Sequence, residues 1–287
     1  MRYAAVMISL LLTTCVTTPA ANSRTPFKAD VVGEGPAIIF IPGLNSSGAV
    51  WDGVVRELRD RYACHVLTLA GFAGEPAIDG PFLPAVRDAV LQYIRDQRLR
   101  RPVVVGHSLG GLLALWLGAT APDQIGRIIT IDGVPFLPAL TNPAATTESV
   151  GPMAQGMRDA FLRASPVERR RQTALSLPFL MTDQAHVNVA ADWAAASDPR
   201  TTADALMEVM ATDLRPEMSR IRAPVLLIAP GAPAGVAADR FRQRYEQQFA
   251  PIAEHQVVFV PNARHFVMLD NQEAVLSEMD AFLIEGR

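Results

Sequence analysis

The apolar run Val103-Val104-Val105 ends in Gly106-His107-Ser108-Leu109-Gly110, and a helical pattern begins at once. A serine at the centre of a strand-to-helix turn, with a glycine two positions away on each side, is placed for nucleophilic attack. The tight turn lifts the Ser108 hydroxyl above the sheet edge. Side chains at Gly106 and Gly110 would collide with the neighbouring strand and helix. The Leu109 N–H then lies at a helix N-terminus, where a developing negative charge is stabilised. The alternative is a serine that only caps a helix. A serine hydroxyl is a weak nucleophile until a base takes its proton, and the base needs a carboxylate to hold its tautomer. The chain has five histidines and 29 acidic residues from which to draw both.

The elements that must position these groups are short apolar runs alternating with longer helical patterns. Strands are expected at Ala37–Ile41, His65–Leu69, Val103–Val105, Ile128–Ile131, Val225–Ala229 and Gln256–Val260. Most are apolar on both faces, as strands covered by helices on each side must be. Helices are expected at Val50–Asp60, Leu83–Gln97, Leu109–Thr120, Asp239–Phe249 and Gln272–Ile284. The alternation predicts an α/β fold, a mostly parallel twisted sheet flanked by helices. From Phe136 to Arg220 the rhythm breaks and no strand pattern occurs. This stretch reads as a helical cap, residues 136–220, inserted into a core of residues 22–135 and 221–287. Its methionines (153, 157, 181, 207, 210 and 218) either line an adaptable pocket or fill the cap's own interior.

In an open α/β sheet, reacting groups gather at the carboxyl ends of the strands. His65 and His255 precede or begin strands and fall at the wrong edge. His107 neighbours the serine but its side chain should point away. His186 lies in the cap. His265 follows the last strand in a loop before the final helix, and is the candidate base. The Gly106–Gly111 turn, Ile41-Pro42-Gly43-Leu44 after the first strong strand and Ala263-Arg264-His265-Phe266 after the last together resemble the α/β-hydrolase superfamily. The resemblance runs from roughly Phe27 to the C-terminus. It implies a Ser-His-acid triad with Ser108 as nucleophile and His265 as base, since the superfamily keeps its base in that last loop.

The superfamily's usual place for the acid follows the strand Val225–Ala229. Here that loop, Pro230-Gly231-Ala232-Pro233-Ala234-Gly235-Val236, holds no acid. Some members take the acid from the end of the strand after the nucleophile helix, and here Ile128–Ile131 ends in Asp132-Gly133. Asp132 is therefore the candidate acid; Asp239, at the start of a helix, is the alternative. The resemblance places the second oxyanion donor after Ala37–Ile41, so Leu44 N–H joins Leu109 N–H. Pro42 stands where relatives carry histidine. The implied activity is hydrolysis of a carboxylic ester or related acyl bond, with no metal or organic cofactor. Perhydrolysis, amide or carbon–carbon cleavage at the same site, or a catalytically silent binding protein on the same fold, remain alternatives.

Bulk properties fit this. The chain has 287 residues, 49% hydrophobic and 19% charged, with a net charge of −3. No extended basic run argues for nucleic acid; the expected partner is a small acyl substrate. Arg2, an apolar stretch Tyr3–Leu12 and small residues up to Ala21 have the form of a secretory signal peptide over residues 1–21. Export to the periplasm or beyond is expected, with a weak lipid-anchor signature at Cys15. Removing the leader leaves Cys64 alone, so no intrachain disulfide is expected.

Overall fold

The computed structural model describes residues 25–284; the leader expected at 1–21, with Cys15, lies outside the described residues. Seven strands form one sheet: β1 (Phe27–Val32), β2 (Ala37–Ile41), β3 (Ala63–Leu69), β4 (Val103–His107), β5 (Arg127–Ile131), β6 (Val225–Pro230) and β7 (His255–Val260). Their order is β1-β3-β2-β4-β5-β6-β7. Only β1 is antiparallel, pairing Phe27 with Leu69 and Val32 with Cys64. Ten α-helices connect the strands among the described residues: α1 (Asp52–Leu58), α2 (Phe82–Asp96), α3 (Leu109–Thr120), α4 (Thr147–Arg163), α5 (Pro166–Ser176), α6 (Gln184–Ala196), α7 (Pro199–Ala211), α8 (Ala238–Phe249), α9 (Val267–Asp270) and α10 (Gln272–Ile284). This is the α/β class expected from the alternation of apolar runs.

The sheet buries both faces because its strands carry branched apolar residues at odd and even positions alike. Ile39, Ile41, Val104 and Leu227 pack towards α2, α3 and α8. Ile38, Phe40, Val105 and Ile228 pack towards α1 and α10. Trp51 closes the second face over Phe40, ring centroids 5.4 Å apart. Cys64 is fully buried, and burial pushes its thiol up to about 11.

Two elements differ from expectation. Phe27–Val32 is a strand that periodicity did not announce: Phe27 is its one buried residue, and Lys28 and Asp30 pair with each other at the surface. Such an edge strand is held by backbone pairing with β3 and needs no apolar pattern. The helix expected at Val50–Asp60 is a 3₁₀ turn, Gly48–Trp51, running into α1.

The segment between β5 and β6 carries α4 to α7 and no strand. Polar bonds tie it to the core. Glu208 of α7 accepts from Phe82 N (2.8 Å) and Leu83 N (2.6 Å), capping α2, which has Pro81 and no side-chain cap at its own N-terminus. Thr202 Oγ1 donates to Asn45 Oδ1 at 2.6 Å, and Asp198 N to Gly71 O at 2.7 Å. Met181 and Met218 are buried, while Met153 and Met157 are exposed.

Candidate active site

Ser108 joins β4 to α3 with φ 53° and ψ −115°. That left-handed backbone costs a non-glycine residue about 1–3 kcal/mol and persists only where its surroundings enforce it. Here they do. Ser108 N donates to Ile131 O at 2.9 Å, and Leu112 N donates to Ser108 O at 3.0 Å. A Cβ on Gly110 would lie 2.2 Å from the Ile41 carbonyl oxygen, and one on Gly106 2.1 Å from that of Gly110. Strand β2, the turn and α3 therefore meet backbone to backbone, which only glycine allows. Leu109 opens α3, so its N–H has no intrahelical acceptor.

Asp132 closes β5, next to β4 in the sheet, with φ 46° and its N–H on Ile228 O at 2.9 Å. Gly133 follows with no room for a side chain: its Cβ would meet Gly111 Cα at 2.6 Å and Ser108 O at 2.9 Å. The close approach sets Asp132 beside the elbow. His265 arrives from the loop after β7, and its Nδ1 lies 2.6 Å from Asp132 Oδ2. A carboxylate only accepts, so Nδ1 carries the proton and Nε2 is the free basic nitrogen. Asp132 is 9% exposed and His265 26%. Ser108, His265 and Leu44 line one cavity of about 370 Å³. Its walls are largely apolar, with Phe161, Leu177, Leu180, Leu206 and Phe266.

Two residues at this site had no role in the sequence reading. Tyr245 of α8 donates its hydroxyl to Asp132 Oδ1 at 2.7 Å and is 3% exposed. Burial first, then the Asp132 charge, hold its phenol far above the ordinary range, so it remains a donor. His107 does more than flank the serine: it lines the cavity and stacks on His265 with centroids 4.6 Å apart. Its Nε2 donates to the His265 carbonyl at 3.1 Å. Complete burial, then the neighbouring His265, push His107 well below the ordinary histidine range, so it is neutral. A tyrosine in an amphipathic helix and a histidine inside a motif each read as packing, so sequence carried no signal for either.

The His265 loop is also tied to the segment between β5 and β6. Arg264 Nη1 donates to the carbonyls of Pro178 and Met181, and Phe266 N to Leu180 O at 3.0 Å. Asp270 Oδ1 accepts from Thr182 N at 2.7 Å while its Oδ2 accepts from Arg264 N at 2.7 Å.

The other candidates lie elsewhere. Asp239 is exposed in the first turn of α8, and the loop after β6 brings no carboxylate to His265. His65 is buried against Tyr93 (Nδ1 to Oη 2.8 Å), and His255 bonds Ile252 O at 2.8 Å. His186 lines a different hollow, beside Arg56 and Trp193. None of the six methionines between β5 and β6 lines the cavity that Ser108 and His265 share. Among the described residues no group of His, Cys, Asp or Glu side chains is arranged to hold a metal.

The profile of the alpha/beta hydrolase family matches residues 38–278. A pimeloyl-[acyl-carrier protein] methyl ester esterase of Nitrosomonas europaea is 28% identical over 272 residues, covering 88% of this chain and 97% of that one. Among solved structures, a hydrolase from Pseudomonas aeruginosa aligns with a TM-score of 0.76 at 22% identity, over 90% of this chain and 94% of that one. An enol-lactonase from Burkholderia xenovorans aligns with a TM-score of 0.73 at 20% identity, over 90% and 96%.

Proposed function

The chain belongs to the α/β-hydrolase family and is a serine hydrolase, and from that premise we propose that it cleaves carboxylic esters with Ser108, His265 and Asp132 as its triad. The observation that carries the reading is Ser108 facing the same cavity as a histidine whose Nδ1 is held by Asp132 at 2.6 Å. The ester, rather than another acyl bond, is supported by the Nitrosomonas relative, whose name is that of a methyl ester esterase.

His265 Nε2 takes the Ser108 proton as Oγ attacks the carbonyl carbon. The negative charge on the carbonyl oxygen is met by the N–H groups of Leu44 and Leu109. The tetrahedral intermediate collapses, the C–O bond to the alcohol breaks, and His265 gives its proton to the leaving alkoxide. Water then attacks the acyl-enzyme with His265 again as base, releasing the acid and restoring Ser108. Asp132 stabilises the imidazolium, and Tyr245 keeps its second oxygen fixed. The apolar walls and a volume of about 370 Å³ suit a small or medium acyl chain.

The test is hydrolysis of 4-nitrophenyl esters of increasing acyl length by the wild type and Ser108→Ala. The expected result is turnover by the wild type and a loss of about 10⁴-fold or more in the variant. A folded wild type that turns over no ester and takes no fluorophosphonate label sinks the reading and leaves a binding protein on the same fold.

The same proposal includes export. Its support is the Arg2, Tyr3–Leu12 and Ala21 pattern in the sequence. The mass of the protein from a periplasmic fraction tests it: a chain shortened near residue 21 supports cleavage, a lipid-modified Cys15 supports anchoring, and an intact Met1 in the cytoplasm refutes both.

A further inference from the structure

A second cavity of about 320 Å³ adjoins the catalytic one, sharing Asn45, Phe161, Thr173, Ala194 and Thr202 with it. These five residues form the boundary between the two chambers, where Thr202 Oγ1 bonds Asn45 Oδ1. The chemistry changes across that boundary. The inner chamber is mostly apolar around Ser108. The outer one carries Arg169 and Arg170 of α5 with a single acid, Asp192 of α6, leaving a net positive charge.

These arginines differ from others in the insertion. Arg158, Arg215 and Arg220 are paired with Asp204, Asp213 and Glu217. Arg169 and Arg170 form no ion pair among the described residues. Arg169 gives one donor to the Ala164 carbonyl and lies 5.7 Å over the ring of Phe161, which lines both chambers. A guanidinium fixed by its own backbone and an aromatic face, with donors to spare, is suited to a planar or tetrahedral anion.

We propose that the outer chamber is a subsite for an anionic group, a carboxylate or a phosphate, at the far end of the acyl chain. Preferred substrates are then esters with an acyl part that is apolar beside the scissile carbonyl and negatively charged at its remote end. This rests on the esterase reading and names its substrate class. An anion on the acyl side stays in contact through both half-reactions, because the acyl group remains on Ser108 after the alcohol leaves.

The test compares 4-nitrophenyl hexanoate with mono-4-nitrophenyl adipate, equal in length and differing in the terminal carboxylate. In the wild type at low ionic strength, kcat/KM for the adipate ester exceeds that for the hexanoate by about three- to tenfold, mainly through KM, as a partly exposed arginine contact allows. In the Arg169→Gln/Arg170→Gln double variant, and in about 0.5 M salt, the ratio falls towards one. Asp192→Asn raises it, by removing the one like charge in the chamber. A ratio of one in the wild type, or a preference that survives the double substitution, overturns the proposal. A third ester ending in phosphate separates the two sources: a larger ratio than adipate assigns phosphate, a smaller one carboxylate. Hydrolysis of the hexanoate itself reports on the esterase reading alone. Should neither ester be hydrolysed, calorimetric titration with adipate reads the chamber directly: binding that the double variant loses supports the subsite, and no binding by the wild type refutes it.

Discussion

The two halves of the site are built by different physics. On the side of the proposed nucleophile, Ser108 is set by backbone: a left-handed turn, two backbone hydrogen bonds, and glycines that let β2 and α3 close on it. On the side of the proposed acid and base, His265 and Asp132 are set by side chains that come from far apart in sequence. Asp132 answers to Tyr245, 113 residues on, and to His265, 133 residues on. The His265 loop leans on His107 and on the 178–182 segment through Arg264 and Asp270. The nucleophile side is therefore expected to resist side-chain trimming and to fail when a Cβ is added. The acid–base side is expected to behave the other way round.

The largest effect sharpens this comparison from the acid–base side. Asp132→Asn keeps the shape but offers His265 an amide, which favours the wrong tautomer; kcat for a 4-nitrophenyl ester is expected to fall about 10³- to 10⁴-fold with folding retained. Asp239→Asn, on an exposed helix start, is expected to leave kcat near the wild type. Reversal of those two outcomes would move the acid to α8. Next in size is Gly110→Ala. Its Cβ meets a strand carbonyl at 2.2 Å and no flexible atom, so about 3 kcal/mol of stability is expected to go, read from urea midpoints. A Gly110→Ala protein with the wild-type midpoint and full esterase activity would break the backbone half of the argument.

The same contrast explains what could be read from sequence. The elbow announces itself because its constraints are local: glycines at fixed offsets from one serine between an apolar strand and a helix. His265 stood out because it alone of the five histidines follows the last strand at the carboxyl edge of the sheet, and the structure brings it to Asp132. Asp132 came into view through an absence, the acid-free Pro230–Val236 loop, together with an aspartate ending β5. Tyr245 gave no signal, since the interaction that matters spans 113 residues and a tyrosine on an amphipathic helix reads as core. β1 was missed for a related reason: backbone pairing with β3 holds it, and Lys28 and Asp30 interrupt the apolar pattern around Phe27, its one buried residue. Of the two roles open to the methionines between β5 and β6, lining the pocket falls to leucine, phenylalanine and alanine, while Met181 and Met218 are buried.

A smaller effect concerns the fully buried His107. Its folded-state pKa lies well below the ordinary value of 6.5, so below that pH the unfolded chain binds a proton that the folded one does not. Stability is therefore full above about pH 6.5 and falls as the pH drops, by up to about 1.4 kcal/mol per pH unit from this residue. His65, whose pKa burial also lowers, adds in the same direction. Urea midpoints between pH 7 and 5 measure the slope, and His107→Gln is expected to flatten it by roughly one proton's worth. An unchanged slope in that variant would mean that His107 charges within the fold.

The finest test bears on how far the side-chain half depends on each of its bonds. Tyr245→Phe removes one hydroxyl from a carboxylate that keeps His265 and loses nothing in shape. Asp132 is then freer to turn, so kcat should fall about three- to tenfold with KM unchanged. A role confined to packing α8 against the sheet would lower stability and leave kcat where it is. The split between kcat and the urea midpoint thus separates a tyrosine that positions the acid from one that fills the core, and a kcat that does not fall assigns Tyr245 to the core.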